Sequence, residues 1–187
     1  MFKHELRAFL EAHNIPLQQW GQGEAKTFDD LFSEVTSGEA ILTEEDGKLL
    51  RSVEGGTLNV YHDDGMTMWF LQEEKQVFKD GRSRTRTLNA SIGEKMKCGE
   101  DPLESAYRAL SEELGIAEKL QLIPKQRFIK GPIPSPSFPG LYSIYTMHMF
   151  DVFLPSHLYR PEGYVEHQVD KSSYFVWRKF SDKEART

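Results

Sequence analysis

The chain has 187 residues, enough for one domain with a full core and a small appendage. A net charge of −6 and a pI near 5.6 argue against a general nucleic-acid or membrane-surface binder, and no apolar run approaches a membrane span. Cys98, the only cysteine, excludes an internal disulfide and a thiolate metal cage; the start MFKHELRAFLEA lacks the apolar centre of a signal peptide, so a soluble, cytoplasmic protein is expected.

Residues up to about Gly38 read as helical. Leu6, Phe9, Leu10, Ile15, Leu17 and Trp20 give an apolar side. Thr27 with Asp30 marks a second helix start, carrying Phe28, Leu31, Phe32 and Val35 to a stop at Gly38. Between them, Gly21-x-Gly23 follows no strand and has no third glycine, so it reads as a loop. From Leu58 to Leu71 the pattern becomes strand, and Asp63-Asp64-Gly65 predicts a hairpin turn. A second turn, Asp80-Gly81, precedes RSRTRTLN, where Arg82, Arg84 and Arg86 alternate and would share one strand face. Such a face is either a solvated edge protected by its charges or a phosphate-facing surface, since Arg pairs bidentately with phosphate oxygens.

The stretch GEDPLESAYRALSEELGI, Gly99 to Ile116, carries the strongest signal. Asp101 before Pro102, with Glu104 at the third helical position, predicts a capped helix start, and Gly115 supplies the stop. Leu103, Ala106, Tyr107, Leu110 and Leu114 fall on one side; Arg108, Glu112 and Glu113 fall off it. Position 109 lies one turn before the glutamate pair on the same edge. Carboxylates at all three positions would hold a hard cation, but the first is Ala109, which leaves the edge one ligand short.

Beyond it, LQLIPKQRFIK reads as a strand, and GPIPSPSFPG as a loop whose prolines forbid a ladder. LYSIYTMHMFDVFLP is a long strand, YRPEGYVEHQVDKSS a late loop, and SSYFVW the last strand. Strands around one strong helix, with more helix in front, predict an α/β (α+β) fold: a helical N-terminal extension over 1–52 and a main domain over 53–187. A leader rich in Phe and Leu would cover either its own sheet or a partner copy in a homodimer. His148 and His167 have no partner at metal-binding spacing.

The helix and the loop before it resemble the Nudix box, G-x5-E-x7-R-E-U-x-E-E-x-G-U, with U a bulky apolar residue. Glu100 matches the first glutamate, Arg108 the arginine, Leu110 the apolar position, Glu112 and Glu113 the pair, and Gly115 with Ile116 the end. Two positions depart: Glu94 stands for the opening glycine, with Gly93 beside it, and Ala109 for the glutamate after the arginine. The resemblance implies a Nudix-like α/β/α sandwich with a mixed sheet. It further implies Mg²⁺- or Mn²⁺-assisted hydrolysis of a small-molecule substrate, a nucleoside diphosphate linked to another moiety. In the family the residues at 109 and 113 bind the metal directly, so Glu113 becomes the first expected ligand and Glu112 the second. Glu94 would add a carboxylate from the loop side. Arg108 would pair with Glu100 and fix the loop against the helix. Lys95 and Lys97 either reach phosphates or are ordinary exposed lysines. A late-loop glutamate often serves as base or extra ligand in the family, and here Glu166 is better placed than Glu162. Three functions follow for comparison. The first is a pyrophosphohydrolase with altered metal ligation, the second a non-catalytic nucleotide- or partner-binding regulatory module. The third is an RNA-end binder or decapping-like hydrolase, which only the arginine run favours.

Overall fold

A computed structural model describes residues 2–85 and 90–180. Two helices come first, α1 (Lys3–Ala12) and α2 (Phe28–Thr36), followed by strands β1 (Ile41–Glu45), β2 (Lys48–Asp63), β3 (Met68–Phe78), β4 (Ser83–Arg84) and β5 (Ile92–Lys95). Helix α3 (Pro102–Leu114) separates these from β6 (Ile123–Pro134), β7 (Tyr142–Phe153), β8 (Tyr164–His167) and β9 (Lys171–Lys179). Among the described residues no helix is long and apolar enough to cross a membrane. The chain divides into two compact units: 1–55 with 95–101 and 127–147, and 56–94 with 102–126 and 148–187.

The second unit is α3 on a mixed sheet. The strand order of the chain's sheet is β6-β7-β2-β3-β9-β8, with β1 and β5 on β2 and β4 on β3. Pairing is antiparallel at β2–β3, β3–β4, β3–β9 and β8–β9. Along β2 and β7, by contrast, partners advance in the same sense: Asn59 bonds Asp151, and Leu154 N–H donates to Tyr61 O. That makes the two strands parallel. Leu58, Val60, Leu71, Phe150, Val152 and Phe175 from the sheet meet Ala106, Ala109, Leu110 and Leu114 of α3 in one core. Helix α3 spans the residues the sequence predicts, and Gly115 follows at φ 68°, the left-handed conformation that ends it.

Three expectations are corrected. Strand begins at Ile41 rather than Leu58, because Asp46 (φ 50°) and Gly47 (φ 72°) turn β1 onto β2 in a hairpin. The charged run TEEDGK conceals the alternation around that turn. GPIPSPSFPG is not loop throughout: β6 continues to Pro134, which its terminal place in the strand order allows, since an edge strand can spare the missing donors. Residues Tyr164 to His167 form β8 rather than a loop, paired with β9 from Tyr164↔Phe175 to His167↔Ser172.

In the first unit, Leu6, Leu10, Ile15, Trp20 and Leu31 close on Leu49, Phe138 and Leu141. Trp20 Nε1–H donates to Pro139 O (2.9 Å), so the leader is tied to the Pro-rich segment. Helix α2 has the expected capping box between Thr27 and Asp30. It also carries Glu34 into the interior at 4% exposure. Arg51 donates to Glu34 Oε2 through Nε (2.9 Å) and Nη2 (2.5 Å), while Lys26 and Lys95 donate to Oε1 at 2.8 and 2.7 Å. Burial alone would raise this carboxyl; the bonds from Lys26 and Lys95 and the Arg51 charge outweigh it and hold the pKa at about 2, against 4.5 for the free group.

A carboxyl depressed in the folded state stabilises above its unfolded pKa and loses that contribution as pH falls through the folded one. Glu34→Ala should therefore destabilise by about 3–5 kcal/mol at neutral pH, because Arg51 is left buried without its anion. Urea unfolding of both proteins should show this difference shrinking between pH 4.5 and about 2. A difference independent of pH would contradict the ion-pair account.

Candidate functional site

Helix α3 parts its two glutamates. Glu112 stays exposed, its carboxylate 4.0 Å from Arg108 one turn back. Glu113 is half-buried and accepts the Gly93 N–H on Oε1 at 3.0 Å. Ala109, one turn before Glu113, is fully buried in the core with Leu110 and Leu114. Next to Gly93, Glu94 lies 3.4 Å from Arg108 Nη1, and its carbonyl accepts the Ser105 hydroxyl.

A second group of polar residues comes from the sheet. Strand β3 is irregular between Glu73 and Lys75, so Glu73 pairs with Phe175 and Gln76 with Ser173, although Glu73 and Gln76 are three residues apart. Phe175 and Ser173 lie two apart on β9 and share a face. The bulge thus puts Glu73 and Gln76 on that face together, the one on which Phe175 packs with α3. Glu166 on β8 pairs with Ser173, and Arg84 on β4 pairs with Gln76. Arg84, Gln76, Ser173 and Glu166 therefore form a single row across four strands. Gln76 bonds three ways: Arg84 Nη2 donates to its Oε1 (2.7 Å), and its Nε2 donates to Glu73 Oε2 (3.0 Å) and Ser173 Oγ (3.3 Å).

Carboxylates from three strands, β3, β5 and β8, act electrostatically on Glu113 of α3. Burial pushes its carboxyl up to about 8; the Gly93 N–H opposes this, and the charges of Glu166, Glu94 and Glu73 add to it. Among the described residues no three His, Cys, Asp or Glu side chains come together closely enough to hold a metal ion by themselves. The donor set is nevertheless all oxygen with excess negative charge, which suits a hard cation. Mg²⁺ at phosphate sites needs only one or two protein carboxylates, the rest of its shell being water and phosphate. Such an ion, with water and phosphate completing its shell, would take Glu113 as its protein carboxylate here.

The other sequence candidates are distributed as follows. Lys95 is engaged by Glu34 and Glu39 (2.7 and 3.2 Å) in the first unit. Lys97 is exposed, and its N–H donates to Glu100 Oε2 in the same loop (2.8 Å). Arg82 is exposed and paired with Asp80 at 2.7 Å; Arg86 lies outside the described residues. Glu162 is exposed, and Glu166 Oε1 accepts from Gln168. Glu73, Gln76 and Ser173 were not expected from the sequence. The available signal was phase: Glu73 stands two residues after the buried Leu71, on the core-facing side of β3.

No protein-family model and no curated protein sequence matches the chain. It is similar to the solved structure of a MutT/nudix family protein from Listeria innocua, at 16% identity and a TM-score of 0.39 over 57% of this chain and 67% of that one. It is also similar to a C. elegans Ap4A hydrolase, at 13% identity and a TM-score of 0.40 over 68% of this chain and 80% of that one. In this chain's own elements, α3 and its glycine stop lie on a mixed sheet.

A carboxyl raised in the folded state binds a proton that the unfolded chain has released, so it erodes stability as pH climbs from its unfolded to its folded value. In metal-free protein, Glu113→Gln keeps an acceptor for Gly93 and removes the charge. The variant should melt several degrees above the parent near pH 8 and almost level with it at about pH 5. Equal melting temperatures at both would show that Glu113 is well solvated.

Proposed function

We propose that the chain is a Nudix-type pyrophosphohydrolase that cleaves a nucleoside diphosphate linked to another moiety, with the help of Mg²⁺ or Mn²⁺ and an altered set of ligands. The observation that carries this reading is Glu113, half-buried and bonded to Gly93 N–H, with the charges of Glu166, Glu94 and Glu73 acting on it. Burying like charges together costs stability, and a phosphate-bound cation would relieve that cost.

A bound cation would supply charge neutralisation at the phosphate and a more acidic water. Glu113 would hold it, with Glu73 or Glu94 as the neighbouring oxygen donor in place of position 109. Glu166, on β8, takes the proton of the attacking water on its carboxylate. The water oxygen bonds to phosphorus as the bridging P–O bond breaks, and the leaving phosphate carries away that electron pair. Arg84 lies on the same face and attracts the anionic substrate. Arg108, between Glu94 and Glu112, positions the strand end against the helix.

One observation favours a second reading, a non-catalytic nucleotide-binding module: the helix position that would complete the metal edge is Ala109, sealed in the core. Turnover decides. A panel of nucleoside diphosphate-linked compounds, followed by mass spectrometry with Mg²⁺ and then Mn²⁺, should yield a metal-dependent product. Glu113→Gln should lower its rate by about a hundredfold or more. Ligand-induced thermal stabilisation without product under either metal would establish the binding module instead.

A further inference from the structure

We propose that Arg84 and Gln76 form an oxyanion-binding arm of this site, in which Gln76 is the positioning residue and the Arg84 Nε–H is the donor offered to a phosphate oxygen. The inference rests on the reading that the site takes a diphosphate, and deepens it by naming the group that grips the anion.

Among the described residues, Arg84 Nε is the buried side-chain N or O atom left without a hydrogen-bond partner. A guanidinium donor shut away from water calls for an acceptor, and an anionic ligand held at this row would provide one. The guanidinium is not free to turn. Its Nη2 is fixed on Gln76 Oε1 at 2.7 Å, and its carbon stands 5.5 Å from the centre of the Phe78 ring. Arg82 faces the same ring at 5.3 Å but spends its Nε on Asp80, so the two arginines of this run have different tasks.

Gln76 is suited to hold the arm because its amide has only one usable orientation. A guanidinium can only donate and a carboxylate can only accept, so Oε1 must face Arg84 and Nε2 must face Glu73. The side chain is 1% exposed, and Ser173 takes a further bond from Nε2. One buried amide thus sets the direction of the cationic arm and of the Glu73 carboxylate together. A ligand that binds both must place an anionic oxygen at Arg84 and bring a cation to the Glu113 side, as a diphosphate bound with its metal does.

The Arg84 Nε–H resonance, assigned by its loss in Arg84→Lys, can be followed by ¹⁵N NMR during titration with inorganic pyrophosphate, first in EDTA and then in Mg²⁺. A saturable shift of that resonance is expected in the parent protein. Arg84→Lys keeps the charge but lacks the Nε–H, and Gln76→Leu releases the arm; both should bind pyrophosphate about tenfold or more weakly. In folded Gln76→Leu the resonance should move markedly less at concentrations that saturate the parent. If Gln76→Leu does not fold, Arg84→Lys decides alone. A stationary resonance in both buffers, or undiminished affinity in the deciding variant, overturns the arm. Substrate turnover in that case would leave the hydrolase reading standing. A shifted resonance with no turnover across the panel keeps the arm and removes the hydrolase.

Discussion

The arrangement around Glu113 depends on how closely α3 lies against β2, and Gly56 sets that distance. A Cβ at this position would stand 3.0 Å from Pro102 O and Ser105 Oγ and 3.1 Å from Ala106 N. No side chain fits there without pushing the first turn of α3 away from the strand. With the gap closed, Ala106, Leu110 and Leu114 seat in the core, and Ser105 reaches the Glu94 carbonyl. Helical period then carries Glu113 to Gly93. The same approach explains Ala109. Its methyl is fully buried, so this edge of the helix is a packing position and a glutamate there would need room the core does not provide.

With Ala109 buried in the core, the carboxylates that act on Glu113 come from the sheet. The irregularity between Glu73 and Lys75 turns a residue that regular alternation would separate from Gln76 onto the same face. Glu73 arrives there with its orientation fixed by Gln76, and Glu166 arrives on β8, a strand that also feels α3. The sheet is a firmer support for such groups than a loop, because each position is set by its ladder neighbours.

What the sequence revealed and what it withheld divide by range of interaction. Helix α3, its glycine stop and the Thr27–Asp30 cap depend on residues within a turn of each other, and these were legible. The hairpin at Asp63-Asp64-Gly65 was legible for the same reason. Strand β8 was missed because YVEH is short and borders Gln168 and Asp170, so nothing local separates it from loop. The role of Glu73 was missed because a bulge is decided by the partner strand. Lys95 stands at the start of the box loop, yet Glu34, sixty-one residues earlier, claims its ammonium. Phe138 shows the converse: from a stretch that composition marks as loop, it becomes a fully buried core residue.

Glu34 and Glu113 show why burial alone does not identify a functional carboxylate. Both pay for removal from water, and in both burial is the largest influence on the carboxyl. Glu34 is answered from within its own unit by Lys26, Lys95 and Arg51, so its charge is settled by the fold and its pKa falls to about 2. Glu113 has one backbone N–H, and its charged neighbours are Glu166, Glu94 and Glu73, so its pKa rises to about 8. A chain able to build the first environment has no difficulty compensating a carboxylate. The second is compensated only by a backbone N–H, and that contrast is the physical reason the proposed chemistry is placed at Glu113 while Glu34 is read as a structural ion pair.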